Sequence, residues 1–97
     1  MSDEIDIHRE ETSGGGRYVT VVDGHEAELT YAKQAADRIV IDHTGVPRAL
    51  GGRGVGQALV RRVVEEALAN GVKIVPACSF AAAQIEKHPE WRDVLAG

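Results

Sequence analysis

The sequence predicts an α+β domain, an antiparallel four-stranded meander followed by a helix, a fifth strand and a C-terminal helix. Three observations carry this. Apolar and polar residues alternate from Ile5 to His43 with connections too short for crossover helices. The segment from Val55 to Leu68 switches to helical spacing without a breaker. The remainder then holds one short apolar run and a second helical stretch.

Ile5 and Ile7 alternate with Asp6 and His8, a half-buried first strand, and the polar run from Ser13 to Gly16 reads as a turn. In the second strand Val19 and Val21 share one face while Tyr18, Thr20 and Val22 share the other. Asp23 and Gly24 then give a strong tight-turn signal. The third strand places Ala27, Leu29 and Tyr31 inward, with Glu26, Glu28 and Thr30 outward; the fourth puts Ile39, Ile41 and His43 on one face. Val55, Leu59, Val63 and Ala67, with Val60, Val64 and Leu68, form an apolar helical stripe. On the other face Arg61 and Arg62 stand four residues before Glu65 and Glu66, spaced for weak ion pairs, and Asn70 and Gly71 close the helix with a left-handed cap. KIVPAC reads as a short buried strand and SFAAAQIEKH as a helix capped by Ser79, before a last turn at Pro89 and Trp91.

A chain of 97 residues supports one core, so residues 1–97 are read as one domain. With 43% hydrophobic and 27% charged residues the composition is that of a soluble globular protein, and no apolar run reaches the length of a membrane span. The acidic start MSDEIDIHREE lacks the pattern of a signal peptide, which points to a cytoplasmic protein. Cys78 is the single cysteine, excluding an internal disulfide and a multi-cysteine zinc site; no set of ligands is spaced for a metal. A net charge of −4 argues against nucleic acid as a partner.

The stretch ALGGRGVGQALV, residues 49–60, puts glycine at 51, 52, 54 and 56, at the mouth of the long helix. A Walker A loop would need Gly-Lys followed by Ser or Thr, and the dinucleotide fingerprint would need glycine where Leu59 stands. Gly51-Gly52-Arg53-Gly54 matches the loop of KH-type nucleic-acid modules, yet a strand ending in Pro47 precedes it where such modules have a helix. Two readings survive. The helix start has no Ser, Thr, Asp or Asn to cap it, so its first N–H groups and the helix dipole, with Arg53 beside them, make an anion site suited to a pyrophosphate. Alternatively, the glycines permit only a tight strand-to-helix turn.

Beyond this loop the residues resemble a family. His43, Thr44, Val46 and Pro47, then Gly52, Gly54 and Gly56, then Pro76, Cys78, Ser79 and Phe80, and finally His88 and Pro89 follow the order seen in the small single-domain branch of the GNAT N-acetyltransferase superfamily. The chain departs at Gly51, where the superfamily usually has Arg or Gln, and at Phe80, where the branch commonly has Tyr. The first departure weakens one phosphate contact. The second removes a hydroxyl that could donate a proton.

The resemblance implies a minimal GNAT-like fold, acetyl-CoA in a splay between the fourth and fifth strands, and an unidentified amine as acceptor. It places the pantetheine arm along Thr44 to Val46 and the pyrophosphate over Arg53, Gly54, Val55, Gly56 and Gln57, with Gly52 also among the cofactor-binding residues. In that setting the bareness of the glycines would serve the approach of phosphate oxygens. Cys78, at a helix start, is a candidate acyl-accepting nucleophile, with a buried packing residue as the alternative. His43 is a candidate general base or a strand residue that orders its neighbours. His88 suits a helix C-terminus; Asp42 and Glu28 read as solvent-facing strand residues. The expected function is acetyl transfer to an amine, through a cysteine thioester or directly, by a monomer or weak dimer. The alternatives are a non-catalytic CoA-binding module and a KH-like module.

Overall fold

The computed structural model describes residues 6–96, so Ile5 lies outside the described residues. One sheet runs in the order β1 (Ile7–Thr12), β2 (Gly15–Val22), β3 (His25–Ala35), β4 (Arg38–Gly45), β5 (Lys73–Pro76). The first four pair antiparallel, and β5 adds parallel to β4 after the crossover through helix α1 (Val55–Asn70). Helix α2 (Ser79–Glu86) and a 3-10 turn at Pro89–Val94 complete the chain. The predicted α+β architecture is the one observed.

Local chemistry explains the meander. Asp23 and Gly24 adopt φ of 50° and 78°, the two positive values a type I′ hairpin turn requires, and Val22 pairs with His25 across it. The first hairpin is tighter than its sequence suggested. Only Ser13 and Gly14 form the turn, whereas Gly15 and Gly16 are β2 residues, opposite Ala32 and Tyr31. Tyr18 and Thr20 face the helices beside Leu29 and Ala27; of the two valines on the opposite face, Val19 is buried but Val21 is 61% exposed.

Helix α1 seals the core with Val55, Leu59, Val60, Val63, Val64 and Ala67 against β3 and β5. Leu68, assigned to that stripe, is exposed, because the buried arc is already filled by Val64 and Ala67. Gly71 takes φ of 68° and closes the helix, with its N–H bonded to the Ala67 carbonyl, as expected. The spaced ion pairs do not form. Glu66 instead accepts hydrogen bonds from Tyr18 Oη at 2.7 Å and Arg9 Nη1 at 3.2 Å, Arg62 reaches the Ile7 carbonyl, and the Arg61 guanidinium lies 5.6 Å from the centre of the Trp91 ring. These partners are the sheet and the C-terminal turn, which are invisible to a helix considered alone. Trp91 in turn stacks on His88 at 3.9 Å, so that histidine has an aromatic partner just past α2.

Candidate active site

The site begins with an irregularity in β4. Its register against β3 shifts between Thr30 and Tyr31, so that Ile41 faces Tyr31 while His43 faces Thr30, and Asp42 is the extra residue of a bulge. Thr30 Oγ1 donates to the Asp42 carboxylate across it. A bulge adds one residue and thus reverses the alternation. His43 therefore does not share a face with Ile39 and Ile41, as the plain alternation suggested. Its exposed imidazole lies on the face away from α1, over Gly45, whose missing Cβ leaves room for it. Thr44 takes the inward place beside Leu29.

The same point divides the sheet. β4 and β5 pair from Arg38 with Lys73 to Ile41 with Pro76, and their last link is the Cys78 N–H to the Ile41 carbonyl at 3.0 Å. Beyond it β4 stays with β3 as far as Gly45, while the segment after β5 turns into α2. A notch opens between them. Cys78 stands at its corner as the N-cap of α2, the position the sequence had suggested for Ser79, with Sγ 3.5 Å from Thr44 Oγ1. Burial alone would push the thiol up. The N–H of Ala81, the Thr44 hydroxyl and the N–H groups of Phe80 and Thr44 together outweigh it, holding the thiol below its ordinary range.

The glycine loop forms the other wall. A 3-10 turn at Arg48–Leu50 buries Leu50, and Gly52 and Gly54 then take φ of 78° and 74°, with open space where a Cβ would stand. Gly54 is the N-cap of α1 and no side chain caps the helix. The first helical bond runs from Ala58 N–H to the Gly54 carbonyl, which leaves the N–H groups of Val55, Gly56 and Gln57 without an acceptor among the described residues. Gly56 is bare for another reason. A Cβ there would stand 2.8 Å from Phe80 Cζ and 3.4 Å from Val46 Cγ2. Thus two glycines serve backbone conformation and one serves helix packing, and the unpaired donors at the loop are the uncapped amides. Arg53 is ion-paired with Asp23 of the β2–β3 turn, a partner 30 positions away that only the folded sheet brings near.

The structure brings Thr44, Val46, Cys78 and Phe80 together with the start of α1. It does not bring His43 to Cys78, since the imidazole occupies the opposite face. Asp42 is exposed, and half-buried Glu28 pairs with Arg17 at 2.8 Å. Strand β4 and a single 3-10 turn, not an α-helix, precede the glycine loop, contrary to what a KH module requires. Among the described residues no cluster of His, Cys, Asp and Glu could hold a metal ion, and no helix is long and apolar enough to cross a membrane.

A mixed sheet split between its parallel strands, with an uncapped helix start at the mouth of the split, is the N-acetyltransferase fold. The model of the GCN5-related N-acetyl-transferase family matches residues 17–94, and the chain belongs to that family. It is similar to a GCN5-like protein from Staphylococcus aureus, assigned as an N-acetyltransferase and solved by NMR, at 37% identity over 99% of this chain and 92% of that one, with a TM-score of 0.74. An IAA acetyltransferase from Bacillus cereus shares the fold at 19% identity, over 87% of this chain and 75% of that one, with a TM-score of 0.64. Comparison with curated proteins gives no significant match.

Proposed function

We propose that this protein is an acetyl-CoA-dependent N-acetyltransferase in which Cys78 accepts the acetyl group before an amine receives it. One observation carries the reading: the thiol stands at the corner of the notch between β4 and β5, surrounded by donors that favour its thiolate. The substrate's pyrophosphate would rest on the N–H groups of Val55, Gly56 and Gln57, where Gly52 and Gly54 leave the approach open. Thr44 and Val46 would line the pantetheine arm along the free edge of β4. Arg53 would add charge to the pyrophosphate site only on leaving Asp23.

In the first step the Cys78 thiolate attacks the thioester carbonyl, forming a new carbon–sulfur bond while the CoA sulfur leaves as a thiolate. In the second an amine attacks the acetylated cysteine, and the carbon–sulfur bond breaks to return the thiolate. His43, exposed and one residue from Thr44, would accept the proton that the amine gives up. Thiolate exchange requires no donor for the leaving sulfur, which suits a site with Phe80 where a tyrosine hydroxyl could have stood. The protein would act in the cytoplasm, where its thiol stays reduced.

Mass spectrometry of the intact protein after incubation with acetyl-CoA tests the proposal. An acetyl group mapping to Cys78, absent in Cys78→Ser while CoA is still retained, supports it. Retention of CoA without a label, together with full transfer by Cys78→Ser, would mean direct attack in a ternary complex. Retention with neither label nor transfer would make the chain a CoA-binding module.

A further inference from the structure

At the end of the sheet remote from the notch, the helix-side face does not stay apolar. Arg9 of β1 lies opposite Tyr18, and Lys33 of β3 opposite Ile39, so two cations occupy positions that the alternation reserves for the core. The last turns of α1 do not cover them. A cavity of about 200 Å³ remains between sheet and helix, floored by the rings of Tyr18 and Tyr31 and walled by Ile39, Val63 and Ala67. Ile39 is five positions before Thr44 on β4, about 16 Å along an extended strand, so this cavity is separate from the notch.

Its polar groups differ in what they have left to offer. Glu66 is engaged twice, by the Tyr18 hydroxyl at 2.7 Å and by Arg9 at 3.2 Å. Arg9 also bonds Glu11. Among the described residues the Lys33 ammonium has only Glu11 near it, at 3.9 Å, beyond hydrogen-bond reach, so it is the donor left over at the mouth. The two tyrosine rings, 5.6 Å apart and tilted by 46°, lie beneath the cavity and present only their edges to it, Tyr18 being 3% and Tyr31 6% exposed. An apolar cavity of about 150 Å³ accepts benzene, so this volume admits a ring with a short tail.

We propose that the cavity binds a small aromatic monocarboxylate, its ring against Tyr18 and Tyr31 and its carboxylate on Lys33 and the remaining N–H groups of Arg9. A cationic ligand is disfavoured because Glu66, the one carboxylate lining the cavity among the described residues, is held by Tyr18 and Arg9, and Glu11 at the mouth is held by Arg9. For about ten non-hydrogen atoms the affinity is roughly millimolar.

Titration of the full ¹⁵N-labelled chain with phenylacetate, phenylacetamide and phenethylamine tests this by amide chemical shifts. Phenylacetate should move Ala35, Ala36, Ala67 and Asn70 and spare Gly52 to Gln57, and should bind about fivefold or more tighter than the neutral amide. Lys33→Gln, at an exposed position, should remove most of the preference for the carboxylate over the amide, Arg9 keeping the remainder. Ala67→Leu should fill the cavity and abolish binding; should it fail to fold, Asn70→Trp at the exposed rim serves the same purpose. No shifts up to about 20 mM phenylacetate, equal binding of acid and amide, tighter binding of the amine, or indifference to Lys33→Gln would each overturn the proposal.

Discussion

Gly56→Ala separates two accounts of the glycine loop by the sign of its effect. In an open helix, replacing glycine by alanine gains up to about 1 kcal/mol through backbone entropy. Here the added methyl would stand 2.8 Å from Phe80 Cζ and 3.0 Å from Cε2, closer than carbon atoms approach. Over-packing of this kind costs about 1–3 kcal/mol, and the lower half applies because the contact is the far end of a side chain that can tilt. The net expectation is a loss of up to about 1 kcal/mol, where simple propensity predicts a gain. Urea unfolding of Gly56→Ala, Phe80→Leu and the double variant measures it, since Phe80→Leu makes room and should restore the propensity gain. Stabilisation by Gly56→Ala alone, with no coupling to Phe80, would refute the close seating of that ring beneath the notch.

Other consequences are as direct. Leu59→Ala should destabilise the fold by about 2–5 kcal/mol in the same assay, since Leu59 is fully buried at the centre of α1. Gly54→Asp should leave the chain folded, because Asp tolerates the left-handed conformation better than most residues, yet sharply weaken CoA binding by calorimetry, since its carboxylate would compete for the amides of the first turn. Asp23→Asn should release Arg53 and raise CoA affinity by at most about fivefold, with an effect that shrinks as salt rises. Cys78 should react with iodoacetamide faster than an unstructured cysteine at neutral pH, with a midpoint below the ordinary thiol range, and bound CoA should protect it. Between the lowered folded pKa and the unfolded one the native state holds fewer protons, so stability should rise with pH across that window and Cys78→Ala should remove the rise.

The strands and α1 were legible because each is decided by neighbours in sequence: Asp23-Gly24 sets a turn, Leu59 and Val63 set a face, Asn70-Gly71 sets a stop. His43 shows where that logic ends. A bulge at Asp42 is a relation between β3 and β4, and no local pattern signals the inserted residue that sends the imidazole to the other face. The helix cap moved from Ser79 to Cys78 for a similar reason, since Cys78 N–H is held by Ile41 on another strand and α2 can begin only after that bond. Arg9 and Lys33 did carry a signal. Continuing the alternation from Ile7 to Arg9, and from Tyr31 to Lys33, places both cations on the helix side. Their partners, and the cavity between them, arise only when α1 is laid on the sheet.

The bulge also bears on how acetyl transfer would be arranged. With regular alternation His43 would point inward beside Leu29, and Thr44 outward, away from the thiol. The one extra residue exchanges them, so a hydroxyl rather than an imidazole meets Cys78, and the imidazole is left at the outer surface. A histidine held against the thiol would form an ion pair and serve mainly to activate it. Here the amides of α2 and the Thr44 hydroxyl hold the thiol below its ordinary range without a base. Under the proposed mechanism His43 would then act on a different proton, that of the incoming amine. On this division of labour His43→Gln should leave acetylation of Cys78 unchanged and slow only the transfer onward. Pre-steady-state labelling followed by an amine chase separates the two steps. Equal slowing of both by His43→Gln would show that the imidazole acts on the thiol after all, and that the notch rearranges when substrate binds.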